Sequence, residues 1–225
     1  MTDHHSKQGK REQGQSLVEI AIFFPIFLLL ISGVVEFGFM LNTYLNLIEG
    51  PRQGARYAVA KNPFTGGGFS QDNATFYDEV ATEVMRSIQP IVLDINRDDI
   101  VISVFSVNGT SVARYPSQAQ LSGESPIDYT VGEWHKYGRG SGCIVNVAVN
   151  CHPSRFTNAD IISRVSQTGG GLIPPAMGVV VVELYYSYHQ ILKLPWLAFV
   201  GDPINVYTFT VMPVTAAAPL VTPTP

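Results

Sequence analysis

Residues 15–41 read QSLVEIAIFFPIFLLLISGVVEFGFML, and the rest of the chain has to be read around them. From Ile20 to Val35 there are 16 residues without a charge, and after Glu36 the next charge is Glu49. Crossing a hydrocarbon core takes about 20 apolar residues at a rise of about 1.5 Å each. Leu17 to Leu41 supplies that length if Glu19 and Glu36 sit near its two ends. The run is apolar on every side, with no amphipathic stripe, which favours lipid over the core of a soluble domain. Pro25 inside it predicts a bend and one freed carbonyl. Gly33 and Gly38 are not at GxxxG spacing and predict no helix-pairing motif.

The flanks orient the segment. Lys7, Lys10 and Arg11 precede it, and the first basic residue after it is Arg52. The positive-inside rule then places the N-terminus in the cytoplasm and the bulk of the chain outside. A cleaved secretory signal fits poorly, because the apolar run is longer than about 15 residues and no small-residue cleavage site follows. Composition agrees with a single-pass protein. The 225 residues include 14 Lys+Arg and 18 Asp+Glu, so 14% are charged, against roughly 25% in soluble domains. One long apolar run excludes a polytopic protein. Ordinary hydrophobicity excludes disorder, and a net charge of −4 gives no reason to bind nucleic acid.

Two blocks carry a family resemblance. Gly14-Gln15-Ser16-Leu17-Val18-Glu19 follows the basic leader and opens the apolar helix. Arg52-Gln53-Gly54-Ala55-Arg56-Tyr57-Ala58 follows the helix. Together they resemble the TadE-like family of the Tad (Flp) pilus system, over about residues 10–61. The resemblance implies a class III signal, cut between Gly14 and Gln15 on the cytoplasmic side by a prepilin peptidase that leaves the helix attached. It further implies a pseudopilin or minor pilin-like subunit that takes part in Tad pilus assembly. The implied partners are the prepilin peptidase, other pilin or pseudopilin subunits, the pilus assembly platform and membrane lipid. It implies no cofactor, no metal and no enzymatic activity. A permanently anchored, unprocessed binding or adhesion module, TadG-like in character, is the alternative within the same resemblance. The implied location is a bacterial or archaeal-type cell membrane, crossed once.

Glu19 has its own physical reading. A carboxylate in a membrane helix costs about 2.5–3.5 kcal/mol at the helix centre. Near the helix start it gains from the dipole and from free N–H groups. Glu19 either pairs with the new Gln15 amine of a neighbouring subunit, as the resemblance implies, or marks the headgroup boundary. Glu36 at the other end either snorkels to the headgroups or pairs with another subunit. Arg52 and Arg56, one turn apart, face anionic lipid heads or acidic partners, or simply solvent.

The expected layout has five parts: a basic leader over 1–14, the transmembrane helix over 15–41, a juxtamembrane helix over 42–61, an extracytoplasmic α+β domain over 62–213, and a disordered Pro/Thr tail over 214–225. Gly50-Pro51 predicts a kink or break in the juxtamembrane helix. A second helix is expected over 72–88, with Phe76, Val80, Val84 and Ile88 on one stripe. DIVISVFSV (99–107), the turn Asn108-Gly109 and residues 112–115 predict a hairpin. Residues 116–142 read as a long loop, 158–166 as a short helix, and 179–191 and 204–211 as strands. The fold class is α+β: an antiparallel sheet of about four strands on the extended N-terminal helix and one or two shorter helices.

Cys143 and Cys151 are the only cysteines, and outside the cytoplasm a disulfide is their default state. Cys143, Cys151 and His152 lack a second ligand pair at zinc spacing. His135, His152 and His189 read as isolated. Asp94, Asp98 and Asp99 read as a solvated turn, since their spacing is not that of an EF-hand loop. No G-x-S-x-G, H-E-x-x-H or P-loop string occurs.

Overall fold

The computed structural model describes residues 9–65, 71–109, 111–116, 132–137, 152–168, 176–193 and 201–219, with side chains from Ser16 onward except at Gln71. The expected Cys143–Cys151 disulfide, the glycine triplets at 66–68 and 169–171 and Pro195-Trp196-Leu197 lie outside the described residues. The described part groups into two compact units. One comprises Met1–Asn42 with His189–Ile204, the other Thr43–Tyr188 with Asn205–Pro225.

Helix α1 runs from Gly9 to Val59. In the first unit its side chains from Ser16 to Ile31 are all exposed, Leu17, Phe23 and Phe27 among them. From Ser16 it is long and apolar enough to cross a membrane. No helical stripe is buried here because the sequence offers none that differs from the others.

The expected break at Gly50-Pro51 does not occur, since α1 passes through both residues without interruption. Proline has no N–H, so the carbonyl of Leu47, one turn earlier, loses its helical donor. The Thr208 hydroxyl donates to that carbonyl at 3.0 Å in a buried position. An external donor has replaced the missing one, and the helix can continue.

The second unit is built on a five-stranded sheet. Strands β3 (Asp99–Asn108), β4 (Ser111–Tyr115), β6 (Met177–Tyr188) and β7 (Ile204–Pro213) lie in the order β4-β3-β6-β7, and β5 (Trp134–His135) also pairs with β3. Short strands β1 (Phe64–Thr65) and β2 (Gln71–Asp72) form a separate antiparallel pair. Strand β5 falls inside the stretch expected to be loop. Two residues are too few to show a period in the sequence.

The β3–β6 register explains the composition of both strands. Ile100, Ile102 and Val104 stand opposite Leu184, Val182 and Val180. These six join one core with Leu47, Ala55 and Ala58 of α1 and with α2 (Ala74–Ser87). Phe105 and Val107 stand opposite Val179 and Met177 on the other face. There, Phe105, Val107, Val179 and Val181 pack with Phe156 and with Ile161 and Val165 of α3 (Asn158–Thr168). A strand covered on both faces loses its polar alternation, so VVVV at 179–182 is a buried central strand.

Helix α2 starts at its cap, Asn73, whose side chain accepts from Phe76 N–H. The expected stripe of Phe76, Val80, Val84 and Ile88 is buried throughout. The tail expected to be disordered from residue 214 begins instead as a short 3-10 turn, Thr215–Ala217. Val214 N–H donates to Gly178 O at 2.8 Å, and Val214 and Ala217 are fully buried. A side chain at Gly178 would run into the Val214 carbonyl and Ala217, so the close approach requires glycine there.

Thr208→Val should therefore leave the Leu47 carbonyl buried and unsatisfied, destabilising the protein by about 1–3 kcal/mol. In the Pro51→Ala background, which restores a helical N–H, the same change should cost much less. Denaturant midpoints of the four proteins in this cycle check the coupling.

Candidate functional site

The block Arg52–Ala58 divides by helical position. Gly50, Gly54 and Ala58 recur every four residues and so share one stripe of α1. A Cβ at Gly50 would lie 2.6 Å from Ile88 Cγ2, and one at Gly54 would collide with Val84 Cγ2. Ala55 and Ala58 are fully buried in the same core. The small side chains let the α1 backbone lie directly on α2 and on Val182 and Leu184 of β6. The Gly50–Gly54–Ala58 spacing is visible in the sequence, but which elements lie against it is not.

Tyr57, half-buried, donates from its hydroxyl to Glu79 Oε2 of α2 at 2.8 Å, and Lys61 Nζ lies 3.6 Å from the same oxygen. The two arginines are exposed. Arg52 meets Glu49 of its own helix at 3.8 Å. This block thus combines a packing face with a basic outer face.

The carboxylates of the apolar part of α1 differ. Glu19 is exposed, ten residues after the first residue of α1. Gly14 and Gln15 lie within the helical backbone of α1, five and six residues after its first residue, Gly9. Glu36 is only 6% exposed. Its Oε1 accepts the N–H of Ile191 at 2.9 Å, and its Oε2 that of Leu192 at 2.8 Å. Besides the headgroups or another subunit expected for it, Glu36 thus has partners within its own chain. The interaction spans 155 positions, a separation no local pattern encodes.

The sheet face toward α3 carries a buried polar network. His135 Nδ1 lies 2.8 Å from Asp99 Oδ2, and its Nε2 makes a longer ionic contact of 3.4 Å with Glu133 Oε2. Arg114 pairs with Glu133 Oε1 at 3.0 Å. Nearby, Glu183 Oε1 accepts from Tyr207 OH at 2.7 Å and from Arg155 N–H at 2.9 Å. His135 is therefore not isolated. Asp98 and Asp99 are not a solvated turn either: Asp98 accepts Ser187 N–H and Asp94 N–H, both at 2.7 Å. The registers Val101↔His135 and Asp99↔Tyr185 bring these groups together from three strands, which no sequence spacing signals.

The electrostatics follow from burial and pairing. Burial alone would lower the His135 pKa, but the bonds to Asp99 and Glu133 dominate and raise it to about 9. Burial likewise favours a neutral Glu133. Hydrogen bonds from His135 and Ser154 N–H and the Arg114 charge outweigh it, and the pKa falls below the ordinary carboxylate value. Burial pushes Glu183 up, opposed only in part by bonds from Ser154, Arg155 and Tyr207. His135, Asp99 and Glu133 are 3%, 0% and 4% exposed, so the cluster has no access for a substrate. It serves to hold β5 and β4 to the centre of the sheet. Among the described residues no group of three or more His, Cys, Asp or Glu is placed to hold a metal ion.

Two outcomes follow. Gly54→Ala should press α1 off α2 and cost about 1–3 kcal/mol by overpacking, read as a lower denaturant midpoint. For His135 the folded pKa of about 9 lies above the ordinary 6.5. Its protonated ring thus stabilises the fold in full below about pH 6.5, and that contribution is lost as pH rises through about 9. Stability should fall over this window by on the order of 3 kcal/mol. His135→Gln should flatten that part of the profile.

Comparison with known proteins picks out the N-terminal segment. No curated protein and no solved structure matches the chain. The model of one family, described as TadE-like protein, matches residues 14–56. The match covers the segment from the Gly14–Gln15 junction through Glu19 and Glu36 to Arg56. By the match over this segment, the chain carries a TadE-like N-terminal region, with a helix long and apolar enough to span a membrane.

Proposed function

We propose that the chain is a TadE-like pseudopilin, a minor pilin-like subunit of a Tad-type pilus. One observation carries this reading: an apolar helix exposed on all sides from Ser16 to Ile31, with Glu19 the single carboxylate of that stretch and the family match laid over it. Such a helix needs either lipid or other helices around it. The leader, with Lys7, Lys10 and Arg11, stays in the cytoplasm, and the sheet unit lies outside, where Cys143 and Cys151 pair as a disulfide.

Prepilin peptidase cuts between Gly14 and Gln15 and leaves an amine four residues before Glu19. In an assembly of parallel helices the amine of one subunit and the Glu19 carboxylate of the next are opposite charges in apolar surroundings. Left alone, each charge is costly; paired, they favour helix packing and set its register. Arg52 and Arg56 present a basic outer surface to anionic headgroups or to the acidic face of a neighbouring subunit. The chain acts as a structural component and substrate of the peptidase, not as an enzyme.

The N-terminus of the membrane form should be Gln15. Gly14→Ala should block processing, and Glu19→Ala should leave processing intact while piliation is lost. An N-terminus at Met1 or Thr2 in a cell with active peptidase would identify instead a permanently anchored, TadG-like binding module. Normal piliation by Glu19→Ala would remove the charge-pair role.

A further inference from the structure

The segment between β6 and β7 belongs to the same compact unit as the apolar part of α1. Its two ends are tied together. Gln190 donates from Nε2 to Gly201 O at 2.9 Å and from its backbone to Asp202 Oδ1 at 3.3 Å. His189 Nδ1 lies 3.2 Å from the same Asp202 oxygen. Beyond this neck the sequence from 191 to 200 is ILKLPWLAFV, with Lys193 its only charge. Ile191 and Leu192 are 56% and 38% exposed. Their backbone N–H groups are the two that the Glu36 carboxylate holds.

We propose that Glu36 pins the start of this segment, Ile191 to Lys193, into the lipid bilayer, so that the protein contacts the membrane through a second element besides α1. The proposal rests on the reading of α1 as a membrane helix. Glu36 stands five residues before Leu41, about 7.5 Å along the axis, within the span that α1 supplies. Whatever is bonded to its carboxylate shares its depth. In hydrocarbon, a lone carboxylate and two free amide N–H groups would each be costly. Joined, they satisfy one another, and apolar side chains at Ile191 and Leu192 gain from lipid contact. Lys193 next to them, at a backbone φ of 45°, reaches the phosphate level with its ammonium group. The occupant is therefore lipid at the interface nearest Glu36.

The test uses the full chain in phosphatidylcholine vesicles, with an environment-sensitive fluorophore on Ile191→Cys. Phe27→Cys in α1 and the exposed Val92→Cys serve as references, and the chain without an added cysteine sets the background. Quenching is read from nitroxide lipids and from aqueous iodide. The Ile191 probe should be quenched by nitroxide lipid, as at Phe27, and several-fold less by iodide than at Val92. In Glu36→Ala the iodide quenching at Ile191 should rise toward that at Val92. Glu36→Gln keeps one acceptor oxygen and should fall between. Iodide access in the parent equal to that at Val92 overturns the proposal, as does protection from both quenchers, which means protein cover. Unchanged lipid quenching in Glu36→Ala overturns the pinning role. If the Phe27 probe itself is not quenched by lipid, the membrane reading of α1 fails and the loop proposal falls with it.

Discussion

The sheet unit depends on how closely α1 approaches α2 and β6. Gly50, Gly54 and Ala58 supply a strip with almost no side-chain volume, and Ile88, Val84, Val182 and Leu184 fill the space beside it. Backbone-to-side-chain packing at that distance brings dispersion contacts that a larger residue would forfeit by pushing the helices apart. The covering of Ile100, Ile102 and Val104 follows from it. So does the burial of Leu47, whose carbonyl lies where Thr208 can reach it.

A second constraint runs through both units. Several polar groups in apolar places are matched, mostly by partners distant in sequence. Thr208 answers the carbonyl that Pro51 leaves open. Glu36 answers two amides of the β6–β7 segment. Asp99 and Glu133 answer a protonated His135. An unmatched member would cost more than the matched pair contributes, so such groups specify one arrangement more than they add stability. This is why a chain poor in charge still places several of its charges out of contact with water.

Much of the fold was legible in the sequence, for reasons visible in particular elements. Phe76, Val80, Val84 and Ile88 announce α2 because a helix with one buried face must repeat at its own period. Asn108-Gly109 announces the β3–β4 turn because Gly109 takes a positive φ, 59°. Strand β5 and α1's passage through Pro51 were not legible. The first is two residues held by pairing to β3, and the second depends on a hydroxyl 157 positions beyond the proline. Of the candidate site, the Gly54–Tyr57 block was visible as a string, but its role as a packing face was not.

Sequence alone determined that one helix is apolar all round, that Glu19 and Glu36 interrupt it, and that an α+β unit follows. Each of these rests on composition or on spacing within about 20 residues, where the backbone period links sequence to geometry. Only the tertiary structure decided what Glu36 binds, which face of Arg52–Ala58 is buried, and that His135 lies between two carboxylates. Apart from His135 with Glu133, two residues away, those contacts join residues dozens to more than a hundred positions apart. They exist because desolvated polar groups must find partners, and only the folded chain determines which ones are within reach.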